Sequence, residues 1–121
     1  MRTAAACLAV LALSAPAAAQ TSFTLGLAIA GDADRKLTRY DCEGADSFDV
    51  EYVNAAPNFL ALLPVNGETY LFTLVLAASG AKYAAANYVW WTKGPEASLY
   101  DLSPGEDAPP ILTCSEHIQT P

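Results

Sequence analysis

The chain has 121 residues and three cysteines, with 13 acidic residues against 6 basic ones and a formal net charge of −7. That length suits one compact domain and excludes a two-domain enzyme with a separate cofactor fold. The acidic balance argues against nucleic acid as a partner, because phosphates require clustered Lys and Arg. Hydrophobic residues make up 53% of the chain and charged ones 16%, a balance that excludes wholesale disorder. No apolar run reaches the roughly 18 residues of a spanning helix, so no membrane anchor is expected.

The first segment reads as a secretory signal. Met1 and Arg2 give a short positive start, Ala4 to Leu13 an apolar run, and Ser14 and Pro16 break it before the small residues Ala17 to Ala19. Cleavage is expected between Ala19 and Gln20, leaving a soluble periplasmic or secreted protein. A lipoprotein signal would place a cysteine directly after the run, whereas Cys7 lies inside it. Removing 19 residues leaves 102 with a net charge of −8, since Arg2 is lost with them.

Export leaves Cys42 and Cys114 as an even pair in a compartment that oxidises thiols. No CxxC spacing occurs, and the only histidine, His117, falls in a tail. The structural reading, one disulfide closing most of the domain, is therefore preferred over a reactive thiol or a metal ligand.

Gln20 to Lys36 mixes small, polar and charged residues, with Gly31 to Lys36 as a turn or linker and Thr24 to Ile29 a weak strand candidate. From Leu37 the period becomes two. Tyr40 and Cys42 share one face and Arg39 and Asp41 the other. After the turn Glu43 to Asp46, the residues Phe48, Val50 and Tyr52 alternate with Asp49 and Glu51, as a half-buried antiparallel strand requires. Phe59 to Val65 and Thr69 to Ala77 flank Asn66-Gly67, a pair suited to the positive φ angles of a type I′ hairpin turn. Tyr70, Phe72, Leu74 and Leu76 would share one face of the second strand, with Leu71 and Val75 on the other. Pro64 lacks an N–H and should sit at an edge or a bulge.

Ser79-Gly80 breaks the pattern. Ala81 to Ala86 has helical composition but is short and flanked by breakers. Tyr88 to Thr92 resumes the alternation with Trp90 and Trp91 on opposite sides. Lys93-Gly94-Pro95 is a turn, Ala97 to Leu102 a strand, Ser103 to Pro110 a loop and Ile111 to Ser115 a closing strand. Seven or so short strands at regular intervals predict an all-β fold, a small antiparallel barrel or sandwich. The chain divides into a signal peptide over 1–19, a linker-like extension over 20–36 and one domain over 37–121.

Little here suits enzyme chemistry. A triad needs a nucleophile beside a positioned base, and His117 is a poor base in a tail. Asp41, Asp49 and Glu51 fall at outward strand positions, where a solvated face is the ordinary explanation. Asp32 with Asp34, or Glu43 with Asp46, fall short of a calcium loop. No cofactor or metal site is expected. Two turns interrupt the apolar pattern with less ordinary side chains: Ser79 to Tyr83 and Trp90 to Ala97. In the bland reading they are turn formers with core aromatics. In the functional one they lie at one barrel end and present Ser79 and Lys93 outward.

The ordered set Y-x-C (Tyr40 to Cys42), F-x-V-x-Y (Phe48 to Tyr52), S-G-x-x-Y (Ser79 to Tyr83), W-x-K-G-x-x-A (Trp91 to Ala97) and L-T-C (Leu112 to Cys114) resembles the family of bacterial inhibitors of C-type lysozyme. The resemblance spans about Leu37 to Ser115 and leans to the periplasmic branch, because no lipid-bearing cysteine follows the apolar run. It implies an eight-stranded barrel with Cys42 and Cys114 bridged. It also implies that Ser79 and Lys93 enter the lysozyme cleft, while Gly80, Tyr83 and Gly94 shape the loops. Such lysozymes are generally basic, so an acidic inhibitor should meet them quickly. Another class of function is a small envelope barrel that binds a cell-wall glycan or apolar ligand, with Trp90 or Trp91 as the stacking platform. Whether the chain forms a homodimer is left open by its sequence.

Overall fold

The period-two alternation folds into eight antiparallel strands: β1 (Asp34–Cys42), β2 (Phe48–Ala55), β3 (Asn58–Val65), β4 (Glu68–Val75), β5 (Ala81–Ala85), β6 (Tyr88–Lys93), β7 (Glu96–Asp101) and β8 (Leu112–Glu116). The computed structural model describes residues 2–17 and 24–118. Each strand pairs with the next, and β8 returns to β1, so the sheet closes into a barrel. Residues 2–17 have no regular secondary structure and are exposed. The cleavage point expected at Ala19 and Gln20 lies outside the described residues. Among the described residues no helix is long and apolar enough to cross a membrane.

β1 begins three residues before the expected Leu37, taking Asp34 to Lys36 from the linker-like segment. These residues pair with Asn54, Val53 and Tyr52 of β2, and Arg35 forms an ion pair with Glu51. Thr24 to Ile29 forms no strand. Ala81 to Ala85, left without a strand by its alanine-rich composition, becomes β5 because β4 and β6 supply ladders on both sides. Its hairpin with β6 turns at Ala86-Asn87, and Ala86 adopts a φ of 50°. Alanine at a position that favours glycine conceals that turn from composition. Asn66 and Gly67 both have positive φ, 51° and 81°, as the type I′ expectation requires.

Pro64, expected at an edge or a bulge, lies where the closed sheet is locally unpaired on one side. Its cross-strand partner is Thr69 on β4, while the ladder between β3 and β2 ends at Leu62. Its missing N–H therefore interrupts no bond. The face expected over Tyr70, Phe72, Leu74 and Leu76 is buried only at Phe72. Leu74 lies near the barrel rim, half-exposed, and Leu76 lies past the end of β4.

The core fills the barrel with inward residues of every strand. Trp90, Tyr40, Phe72, Leu63, Leu99 and Val50 are its largest fully buried side chains. Trp90 and Tyr40 meet edge to face at 5.1 Å between ring centroids. Their polar atoms converge on one phenol: Trp90 Nε1 donates to Tyr52 Oη at 2.9 Å, and the Tyr40 and Tyr52 hydroxyls share a 2.7 Å hydrogen bond. Burial pushes the Tyr40, Tyr52 and Tyr83 phenols above their ordinary value. Their neutral forms are therefore favoured by folding. Cys42 and Cys114, opposed across the β1–β8 seam, are joined by a disulfide.

Two measurements check this account. The bridge spans 72 residues, a loop worth about 4 kcal/mol in the chain-entropy model, so Cys42→Ser with Cys114→Ser should lower stability by about that much in denaturant melts. Above pH 10, the ordinary tyrosine value, the unfolded chain sheds phenolic protons that the folded chain retains. Stability is fully present below that pH and should fall as pH rises beyond it, as denaturation midpoints on a pH series will show.

Candidate functional site

Strand direction alternates around the barrel, so the β4–β5 loop over 76–80 and the β6–β7 turn at Gly94-Pro95 emerge at the same end. Ser79 and Lys93 are both exposed there. The disulfide joins the C-terminal end of β1 to β8, where Cys114 lies opposite Ala97 just past the β6–β7 turn.

Gly80 brings the two segments together. Its φ is +65°, and a Cβ built on it would fall far inside contact distance of the Thr92 carbonyl oxygen and 2.9 Å from Lys93 Cγ. Only a residue without a side chain lets the loop pack this closely against the end of β6. The approach is held by two hydrogen bonds from β6: Trp91 Nε1 to the Ser79 carbonyl at 2.9 Å, and Thr92 Oγ1 to the Ala81 carbonyl at 3.3 Å. Gly94 has a φ of +57° but open space where its Cβ would stand. The turn it begins is fixed instead by the Glu116 N–H, which donates to the Pro95 carbonyl at 2.7 Å. Tyr83 lies beneath the loop with its ring turned inward, 5.7 Å from that of Tyr52.

The ammonium of Lys93 lies back over the Trp91 ring, 4.3 Å from its centroid, and Lys82 Nζ sits 4.6 Å from the same centroid. Such contacts are electrostatic attractions between a cation and the negative face of the ring. The structure thus brings together Ser79, Gly80, Lys93 and Gly94, with Tyr83 below them. Sequence reasoning gave Trp91 no part in placing the loops and left Lys82 as an unspecified position of the S-G-x-x-Y motif. The signal that finds Lys82 is the register set by the Ala86-Asn87 turn, which opposes it to Trp91.

Three of the other charged groups on β1 and its neighbours have structural partners. Arg39 pairs with Asp49 at 3.3 Å, beside the Arg35–Glu51 pair. Asp41 accepts a hydrogen bond from Ser47 Oγ at 2.6 Å and lies 2.7 Å from His117 Nδ1, contacts that hold its carboxyl below the usual range. Serine and histidine share one carboxylate here and are not joined to each other, so the arrangement is no nucleophile–base pair. Among the described residues, no group of three or more His, Cys, Asp or Glu side chains could hold a metal ion. Trp90 is fully buried, and both lysines already engage the Trp91 ring. Neither tryptophan offers a free platform for sugar.

A family model described as membrane-bound lysozyme-inhibitor of c-type lysozyme matches residues 40–106, from the end of β1 through β7. The chain belongs to this family. Among curated relatives, the membrane-bound lysozyme inhibitor of C-type lysozyme of Pseudomonas aeruginosa is 44% identical over 100 residues, covering 80% of this chain and 79% of the relative. The inhibitor of the same name from Cupriavidus necator is 38% identical over 100 residues, covering 83% and 80%. Among solved structures, Pseudomonas aeruginosa MliC in complex with hen egg white lysozyme matches with a TM-score of 0.66 and 40% identity, over 81% of this chain and 100% of that one. The family match takes in both the Ser79 loop and the Lys93 turn.

The geometry separates the two loop glycines of this family member. Gly80→Ala meets backbone and a positive φ together and should cost about 2 kcal/mol or more, whereas Gly94→Ala meets only the positive φ and should cost about 1 kcal/mol. Thermal melts of the two variants decide between a steric and a purely conformational requirement.

Proposed function

We propose that this chain is a proteinaceous inhibitor of C-type lysozyme, exported to the periplasm or secreted after cleavage near Ala19, and not itself an enzyme. The observation that carries the reading is the complex of MliC, 40% identical to this chain, with hen egg white lysozyme. The convergence of the Ser79 loop and the Lys93 turn at one barrel end supports it. In this reading Ser79 and Lys93 enter the lysozyme cleft, Gly80 and Gly94 set the loop conformations, and Tyr83 supports the first loop from inside.

The physics is that of a plugged acidic groove. A retaining lysozyme works with two carboxyl groups flanking the scissile bond, one of which must remain protonated as the general acid. The Lys93 ammonium would pair with the ionised carboxylate and lower the pKa of the acid, while the Ser79 hydroxyl donates to or accepts from either. Occupancy alone excludes the sugar chain. Burying such a pair is costly unless its geometry is good, and loops pinned to β6 reduce the ordering cost. The net charge of −8 left after cleavage would speed encounter with a basic lysozyme.

Purified protein should block lysis of bacterial cell walls by hen egg white lysozyme at near-stoichiometric ratio. Absence of inhibition at micromolar concentrations, with the disulfide intact, rules the proposal out. Lys93→Ala should weaken inhibition by about 2 kcal/mol and Ser79→Ala by about 1 kcal/mol, since the first removes a charge-assisted contact and the second a neutral one. Two variants that inhibit like the wild type would dismiss the two-loop mechanism. Association should slow as salt rises, and a flat response in stopped-flow mixing would remove the steering argument.

A further inference from the structure

Trp91 touches the Ser79 loop and two cations at once. Its N–H donates to the Ser79 carbonyl, and its ring carries Lys82 and Lys93 at 4.6 and 4.3 Å. Lys82 faces Trp91 directly across the β5–β6 ladder, and Lys93 follows two residues later on the same outer face. Two like charges near one indole repel each other, and the attraction of each to the ring's negative π density offsets that repulsion. Acidic residues that could neutralise them are close at hand. Glu96 is the cross-strand partner of Lys93, and Glu106 and Asp107 line the same outer groove as Lys82 and Trp91. Even so, neither lysine makes an ion pair among the described residues, while Arg35 and Arg39 are paired with Glu51 and Asp49. In a chain this acidic, the site end of β6 keeps two ammonium groups on one indole with no carboxylate partner among the described residues.

We propose that Lys82, Trp91 and Lys93 form one contact surface for the carboxylates of C-type lysozyme. In it Lys82 supplies a second cation, and Trp91 is the positioning residue that mounts both lysines and the Ser79 loop. The proposal rests on the inhibitor reading above and extends its interface from the two loops onto the outer face of β5 and β6. A retaining cleft holds two carboxyl groups, and one ammonium pairs closely with only one of them. The second cation addresses acidic groups in or beside the cleft that Lys93 leaves unpaired. Seating long lysine chains on a fixed ring also removes rotamer freedom before the partner arrives, so less is lost on binding.

The test measures association and dissociation with hen egg white lysozyme at low and high salt, beside the melting temperature of each variant. Lys82→Ala should weaken binding about three- to tenfold, chiefly by slower association with a shallower salt dependence, and Lys82→Arg should restore it. Trp91→Leu should weaken binding about tenfold or more by faster dissociation, with melting nearly unchanged because its side chain lies outside the core. Trp91→Phe, which keeps a ring but no N–H, should fall between Trp91→Leu and the wild type. Wild-type rates and salt dependence in Lys82→Ala would overturn the second cation. Loss of binding in Trp91→Leu only in step with loss of folded protein would overturn the positioning role. Failure of the wild type itself to bind would overturn the inhibitor reading, and this surface with it.

Discussion

Closure of the sheet between β1 and β8 is the constraint from which the rest follows. An open eight-stranded meander would leave two rows of unpaired N–H and C=O groups and spill its core through the gap. Here the seam is joined by three registered pairs ending at Cys42 and Cys114, and the bridge makes that last pair covalent. The seam extends past the strands: the His117 N–H donates to the Arg39 carbonyl at 2.8 Å, and the Glu43 N–H to the Thr113 carbonyl at 2.9 Å. With the ring complete, alternate side chains of every strand have one interior to fill. Trp90, Tyr40 and Tyr52 fill it with their polar atoms satisfied by one another.

A closed barrel also fixes where loops emerge. Because neighbours run in opposite directions, loops after even-numbered strands share one end, and those after odd-numbered strands share the other. Ser79 and Lys93 follow β4 and end β6, so they are brought to the same rim by topology alone. Rim placement is not contact, however. Contact comes from Gly80, whose missing side chain lets the loop backbone rest on Thr92, and from the Trp91 N–H that captures the Ser79 carbonyl. Loops tied to a barrel by backbone approach and side-chain hydrogen bonds have little conformational freedom left to lose on binding.

Charge is distributed unevenly around this frame. The arginines of β1 pair with acidic residues of β2, Arg39 directly opposite Asp49 and Arg35 diagonally with Glu51, in exposed pairs worth little individually. The lysines of β5 and β6 lie on an indole instead. An acidic surface that guides a basic partner and a small cationic area that meets its acidic groove are compatible only if the cations are not consumed by neighbouring carboxylates. The Trp91 ring meets that need, because it attracts an ammonium without neutralising it.

The sequence determined the alternating strands, the Asn66-Gly67 hairpin, the opposed tryptophans, the cysteine pair and the motifs that carry the family resemblance. These are local patterns with local causes: period-two alternation, positive φ, a missing side chain. It did not reveal β5, whose alanines favour no strand and whose turn places Ala86 where glycine is usual. Nor did it reveal that β1 starts at Asp34, since an isolated charged segment has no reason to be extended until β2 supplies its partners. The position of Lys93 over Trp91, the presence of Lys82 on the same ring and the capture of the Ser79 carbonyl were decided only by the tertiary structure. Each depends on the register between strands and on the distance between loops, and those are fixed by closure of the whole barrel rather than by any stretch of residues within it.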